Sequence, residues 1–276
     1  MSTPPGVTVV VMVSNENEHL GPCLDSARSV GPMWVVHTGA DVATAETARR
    51  AGARVMSLPF ADSALLKNSA LDRLPISKGT WVFLLDADER IPRALAVEIR
   101  GTVSSTPEGL VAFNVGRINR VGERAVKGGG WWPDRNLRLV RKGRVRFEDR
   151  GVHAEAEAEG QVGSLRQPLL HFSRRDIGDH LHHQARYAVL EARDLRDRWG
   201  GHPRPLPLRA LGRRWRPWLR LAWILCPSRP AAVTLWLFLA RRGYRDGALG
   251  WILAVLEGAK QAWTEELLAH GAGESR

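Results

Sequence analysis

Two carboxylates one residue apart, Asp86 and Asp88, lie in the string Leu85-Asp86-Ala87-Asp88-Glu89-Arg90, directly after the apolar run Trp81-Val82-Phe83-Leu84. An apolar run of this kind reads as a buried strand, and its last residues reach the carboxyl edge of a sheet, where open α/β folds bind ligands. Residues i and i+2 of an extended segment point the same way, so Asp86 and Asp88 are placed to face one Mg²⁺ or Mn²⁺. Such hard cations take oxygen ligands together with substrate phosphates. The plain alternative is a solvated strand-to-helix turn in which Asp88 caps a helix ahead of Pro92.

The elements that must position this pair are legible on both sides of it. Val7 to Val13 reads as a buried strand, Asn15 to Ser29 as a helix, Met33 to Val36 as a strand and Thr44 to Ala51 as a helix capped by Thr44. Arg54 to Leu58 reads as a strand, Ser63 to Leu74 as a helix and Trp81 to Leu85 as the fourth strand. This alternation predicts a mainly parallel sheet with flanking helices. Residues 111–118 and 136–147 read as further strands around the loop Lys127-Gly128-Gly129-Gly130, and Asp176 to Arg198 as a long polar helix. Composition shifts to Pro, Arg and Trp from Gly200. The reading is therefore an α/β domain over 1–175 and a helical region over 176–276, basic from about 201.

With 276 residues the chain can bury a full core. Cys23 and Cys226 offer neither a disulfide framework nor zinc-ligand spacing, which points to a reducing compartment. Met1 to Gly6 is short and polar and does not read as a signal peptide. The formal charge is +11, yet residues 201–245 hold ten arginines and no acid, leaving about +1 for the rest. An acidic partner is expected at that block alone.

Several strings resemble family 2 glycosyltransferases of GT-A fold: Ser14-Asn15-Glu16 after the first strand, Lys67-Asn68, and Leu85-Asp86-Ala87-Asp88-Glu89-Arg90. Trp132-Pro133-Asp134 with Arg138-Leu139, Val152-His153, Leu170-His171-Phe172 and Arg241-Arg242-Gly243-Tyr244-Arg245-Asp246-Gly247 with Gly250 are similar to the subgroup containing the lipopolysaccharide-core β-1,4-glucosyltransferases. The likeness runs from about Val7 to about Trp263. Two positions depart from it. The family's Asp after the second strand is replaced by the turn His37-Thr38-Gly39-Ala40, with Asp41 shifted along. The family's Val-His-Glu is here Val152-His153-Ala154-Glu155.

The resemblance implies a Rossmann-like GT-A domain plus a C-terminal helical segment. It also implies transfer of a sugar from a nucleoside-diphosphate sugar to an acceptor hydroxyl, with inversion and a divalent cation. Asp88 would hold the ion, which acts as a Lewis acid on the leaving diphosphate, and Asp86 would support the ribose or the ion. His153 or His171 would complete the metal shell. Glu16, His37 and Lys67 would position the donor. Asp134 is the first candidate for the general base and Glu155 the second. Trp131, Trp132 and Arg138 would meet the acceptor, a glycan, glycolipid or small molecule. Each has an ordinary alternative: a helix-dipole partner for Glu16, a solvated Lys67, a turn at Asp134, core packing for the tryptophans, a neighbouring acid for Arg138. His180, His182 and His183 read as a solvated helix face. The departures at His37 and Ala154 also leave open a degenerate transferase fold that binds a partner without catalysis.

Residues 206–240 mix Arg213, Arg214, Arg216 and Arg220 with Trp215, Trp218, Trp223 and Trp236. Arginine with tryptophan suits an anionic membrane surface. The apolar stretch Ala231 to Ala240 is ten residues long, too short to span a bilayer. The expectation is a cytoplasmic protein, peripheral on the inner face of the cell membrane. A helical subdomain without lipid contact is the alternative. No nucleic-acid motif accompanies the basic residues, and no nucleic-acid partner is expected.

Overall fold

The computed structural model describes residues 6–13, 17–38, 42–59, 63–149, 154–199 and 226–270. These fall into two units, residues 1–119 with 133–173, and residues 120–132 with 174–276.

The first unit is built on a sheet. Four parallel strands, β1 (Val7–Val13), β2 (Met33–His37), β3 (Arg54–Ser57) and β4 (Trp81–Asp86), are joined by helices α1 (Asn17–Ala27), α2 (Val42–Arg50) and α3 (Ser63–Arg73). Then follow β5 (Glu89–Arg90), α4 (Arg93–Ser105), β6 (Leu110–Val121), β7 (Arg124–Ala125), β8 (Asp134–Arg141), β9 (Val145–Asp149), β10 (Ala154–Ala158), β11 (Gln161–Ser164) and β12 (Leu169–Arg174). The spatial order is β3-β2-β1-β4-β8-β6-β12-β5. β8 runs antiparallel to both β4 and β6. The sheet is mixed, with its parallel half at the N-terminal end of the chain.

Both faces of this sheet are buried, which is why β1 and β4 read as continuous apolar runs rather than alternating ones. Val9, Val11, Phe83 and Leu85 join one core cluster with Leu20 and Leu24 of α1. Val10, Met12, Val82 and Leu84 join the other, with Leu66 and Ala70 of α3. The carboxyl ends of β1 and β4 are thereby fixed between two packed layers.

Two local readings change. The helix over residues 42–50 starts at Val42, and Thr44 is buried within its first turn rather than standing as its cap. Residues 136–147 form two strands, because the turn at 142–144, with Gly143 at φ +83°, sends β9 out of the main sheet to pair with β10. Asn68 of α3 holds β9 in place. Its amide nitrogen donates to the Phe147 carbonyl at 2.7 Å and its oxygen accepts from the Phe147 N–H at 2.9 Å. Lys67, the next residue on α3, lies over the Phe147 ring at 5.3 Å.

The second unit contains α5 (Ile177–Trp199), α6 (Arg229–Leu235), a π-turn over Trp236–Ala240, a 3₁₀ turn over Gly243–Asp246 and α7 (Gly247–Ala269). His180 does not lie on a solvated face. It is buried, its ring 5.6 Å from that of Trp131, while neighbouring Gln184 donates to Glu257 of α7 at 2.6 Å. Burial pushes the His180 imidazole down to about 4, with Arg174 adding to the effect. Trp131 packs against Val121, Val126, Leu249 and Leu253, and Trp132 is exposed.

The glycine loop and the tail motif meet within this unit. The Asp246 carboxylate accepts from the backbone N–H groups of Lys127 at 3.1 Å and Gly128 at 2.6 Å. A Cβ at Gly128 would lie 2.3 Å from the Arg242 carbonyl oxygen, and one at Gly250 only 1.9 Å from that of Gly243. These glycines let backbone approach backbone. Gly250→Ala should therefore destabilise the protein by about 1–3 kcal/mol through overpacking. The denaturant midpoint of unfolding followed by circular dichroism checks this, and an unchanged midpoint would contradict the close approach.

Candidate functional site

β4 ends at Asp86, and a turn over Ala87 and Asp88 leads into β5. Within that turn the two carboxylates have different partners. Asp86 turns to Arg138 of β8, whose Nη2 lies 2.5 Å from its Oδ2. Asp88 turns to β12, where its Oδ2 stands 3.2 Å from His171 Nε2. Strand register explains the second pairing. β12 runs antiparallel to β5 with His171 opposite Glu89, and the Phe172 N–H donates to the Asp88 carbonyl at 2.9 Å. Asp88 is no helix cap, since Pro92 occupies the N-cap position of α4.

Behind the turn lies a buried ionic network. Glu89 is fully buried, and its Oε1 is 2.5 Å from Arg138 Nη2 and 3.3 Å from Arg117 Nη1. Its Oε2 accepts the Asp86 backbone N–H at 3.0 Å, which fixes the turn from inside. Arg117 carries on to Asp134, with Nη2 2.8 Å and Nε 3.0 Å from Oδ2. Asp134 also accepts from Asn119 at 3.1 Å and Asn136 at 2.9 Å. Asn119 Oδ1 then meets His171 Nδ1 at 2.5 Å. An unbroken path thus joins Asp86 to Asp88 through Arg138, Glu89, Arg117, Asp134, Asn119 and His171.

Charge placement follows from this path. Burial pushes the Asp86 carboxyl up, but Arg138, with Lys67 and Arg117 beyond, outweighs it and holds Asp86 well below the ordinary carboxylate range. Asp134 is likewise pushed up by burial and pulled down further by Arg117 and its amide donors. Lys67 is lowered by burial and by Arg138. It lines a cavity of about 380 Å³ with Arg135, Arg138, Asn114 and Phe147. At the end of β2, His37 is buried and its Nδ1 has no hydrogen-bond partner.

Among the described residues no cluster of three or more His, Cys, Asp or Glu side chains forms a ready metal cage. The Asp88–His171 pair nonetheless fits a divalent ion that keeps water and substrate oxygens in its other positions. Cis ligands about 2.1 Å from an octahedral ion stand about 3 Å apart, and Oδ2 and Nε2 are 3.2 Å apart. Glu16 and His153 lie outside the described residues, as does the side chain of Glu155. Trp131 and Trp132 belong to the other unit.

Glu89, Arg117, Asn119 and Asn136 join the site without having been expected there. A period-two signal marks most of them: Arg117 and Asn119 on β6, and Asp134, Asn136 and Arg138 on β8, alternate with other residues and so share a face of each strand.

No family model matches the chain. It is 29% identical over 210 residues to the lipopolysaccharide core biosynthesis glycosyltransferase LpsC of Rhizobium meliloti (strain 1021), covering 72% of this chain and 74% of that protein. Among solved structures, it is similar to glucosyl-3-phosphoglycerate synthase from Mycobacterium tuberculosis, at 23% identity and a TM-score of 0.34, with 42% of this chain and 44% of that one covered. Mannosyl-3-phosphoglycerate synthase from Rubrobacter xylanophilus is similar at 17% identity and a TM-score of 0.40, covering 76% and 79%. The mixed α/β sheet, with its carboxylates at the edge of β4, agrees with the GT-A-like fold expected from the sequence. The LpsC likeness is a similarity to a glycosyltransferase, over most of both chains.

Removing the guanidinium at position 138 would leave two carboxylates facing each other without their cation. Arg138→Met should cost about 3–5 kcal/mol, the usual penalty for breaking a buried pair from one side. Asp86 and Asp134, both depressed in the folded state, contribute stability that is present above the ordinary carboxylate range near 4 and is lost as pH falls through it. The wild type should therefore lose stability on acidification below about pH 4. Urea unfolding of both proteins across pH checks the two statements, and a variant as stable as wild type at neutral pH would contradict the first.

Proposed function

We propose that the chain moves a sugar from a nucleoside-diphosphate sugar to an acceptor hydroxyl, with inversion, using a Mn²⁺ or Mg²⁺ ion held by Asp88 and His171. The acceptor is a glycan, glycolipid or small molecule of the kind used in cell-envelope glycosylation, a class suggested by the name of the LpsC relative. The observation that carries the reading is the convergence of Asp88 Oδ2 and His171 Nε2 at the edge of β4, braced by the ionic path from Arg138. Bound there, the ion would neutralise the leaving diphosphate as a Lewis acid.

The chain's own residues supply the rest. Lys67 and Arg135 bring positive charge to the cavity beside Arg138, suited to an anionic donor. The unpartnered Nδ1 of His37 offers a hydrogen bond to a nucleotide base where the family uses an acid. Asp86, held ionised by Arg138, offers an acceptor to the ribose. In our reading the base is Glu155 rather than Asp134. Asp134 gives its carboxylate to Arg117, Asn119 and Asn136, and its basicity is lowered accordingly.

The second unit supports attachment to a membrane surface. No described helix is long and apolar enough to cross a membrane. Leu235, Trp236, Leu239, Tyr244 and Trp251 are nevertheless exposed, and Arg241, Arg242 and Arg245 are exposed in the same stretch. Indole and phenol rings settle at the membrane interface. Each arginine near an anionic surface adds about 1 kcal/mol of attraction. The remainder of the basic block, residues 200–225, lies outside the described residues.

Three outcomes are expected. Asp88→Ala should abolish Mn²⁺-dependent transfer from a nucleotide sugar while leaving the unfolding midpoint near that of the wild type. Near-normal turnover would refute the metal assignment. Glu155→Gln should lower kcat by roughly 10²–10⁴, whereas Asp134→Asn should act mainly on stability. The reverse pattern in steady-state kinetics would return the base to Asp134. In flotation assays the protein should bind vesicles containing anionic lipid, not neutral ones, and be released by high salt. Indifference to both would leave the aromatic face without a membrane role.

A further inference from the structure

We infer that Asn119 is a positioning residue: it fixes the tautomer and orientation of His171, so that the ring presents a lone pair to the divalent cation. This rests on the reading of Asp88 and His171 as cation ligands. The Asp134 carboxylate, which already accepts from Arg117 and Asn136, can only accept again, so the amide group that Asn119 turns toward it must be the NH₂, as the 3.1 Å contact from Nδ2 to Oδ2 has it. The Asn119 oxygen is therefore committed to the opposite side, where it meets His171 Nδ1 at 2.5 Å. An oxygen acceptor there requires the hydrogen to sit on Nδ1. With Nδ1 so engaged, Nε2, the atom 3.2 Å from Asp88 Oδ2, is the nitrogen left for the cation.

The opposite tautomer would set the Nδ1 lone pair against the Asn119 oxygen and point an N–H at the place where the cation must lie. Asn119 is buried at 6% exposure, within the strand that also carries Arg117, so it cannot readily turn away. The order of command runs from Arg117 through Asp134 to Asn119, then to His171. A metal-bound histidine commonly has its second nitrogen held in this manner, and losing the holder typically weakens metal binding 10–100-fold.

Asn136 provides the control, because it also bonds Asp134 but makes no contact with His171 among the described interactions. Mn²⁺ binding by calorimetry, without donor, compares the wild type with Asn119→Leu and Asn136→Leu. Asn119→Leu keeps the size and removes the acceptor, so affinity should fall 10–100-fold. Asn136→Leu should bind as wild type does. Long-range ¹H–¹⁵N spectra of the metal-free wild type should show the His171 ring protonated at Nδ1. A folded Asn119→Leu with unchanged affinity, equal losses in the Asn119→Leu and Asn136→Leu variants, or a ring protonated at Nε2 alone would each overturn the inference. A wild type that binds no Mn²⁺, or binds it unchanged after His171→Ala, would instead refute the cation reading on which the inference rests.

Discussion

The buried guanidinium of Arg138 is the contact on which the site depends. It lies between Asp86 and Glu89, two acids from a single turn, at 2.5 Å from each. Without it the edge of β4 would bring like charges together in a water-poor place, where such repulsion is strong. With it, Glu89 can be fully buried and can use its second oxygen to hold the Asp86 backbone. Asp86 and Glu89 thus form the floor of the turn, and Asp88 is left to face His171. The acid-rich string therefore divides its labour: two carboxylates build the edge, and the third faces the imidazole of His171.

The same economy runs through the strands behind it. β8 contributes Asp134, Asn136 and Arg138, and β6 contributes Arg117 and Asn119, all in alternation. They bond one another across β6 and β8, which pair antiparallel, leaving Arg138 Nε without a hydrogen-bond partner among the described residues. A polar face inside a fold is costly unless its members are hydrogen-bonded. Here the satisfaction has a direction, since each acceptor dictates which atom of its neighbour must donate. The result is a chain of fixed orientations that ends on the imidazole beside Asp88.

How much of this could be read beforehand depended on range. The apolar runs of β1, β2 and β4 announced themselves because both sheet faces are buried, and the carboxylates after β4 were visible as a short string. The helices came through at their centres, but the start of α2 was misplaced because Thr44 is buried inside the helix. His180 was misread because only α7, some seventy residues later, shows which face of α5 is covered. The glycine loop and the tail motif were each conspicuous, yet nothing local shows that Asp246 ties the backbone of Lys127 and Gly128. The ionic path was least legible. Its members come from four separate segments, and Glu89, Arg117 and Asn119, which link the others, looked like ordinary polar strand residues. Asp134 was legible as an acid near the site, but its role depends on the three donors that surround it.

The central claim is that the cation at the edge of β4 takes an imidazole nitrogen from His171 alongside Asp88. Pulsed electron paramagnetic resonance of the Mn²⁺-loaded protein reports such a nitrogen directly, through its modulation of the electron spin echo. An imidazole signal is expected in the wild type, persisting in His153→Gln and vanishing in His171→Gln. A signal that survives His171→Gln and is lost in His153→Gln would contradict the claim.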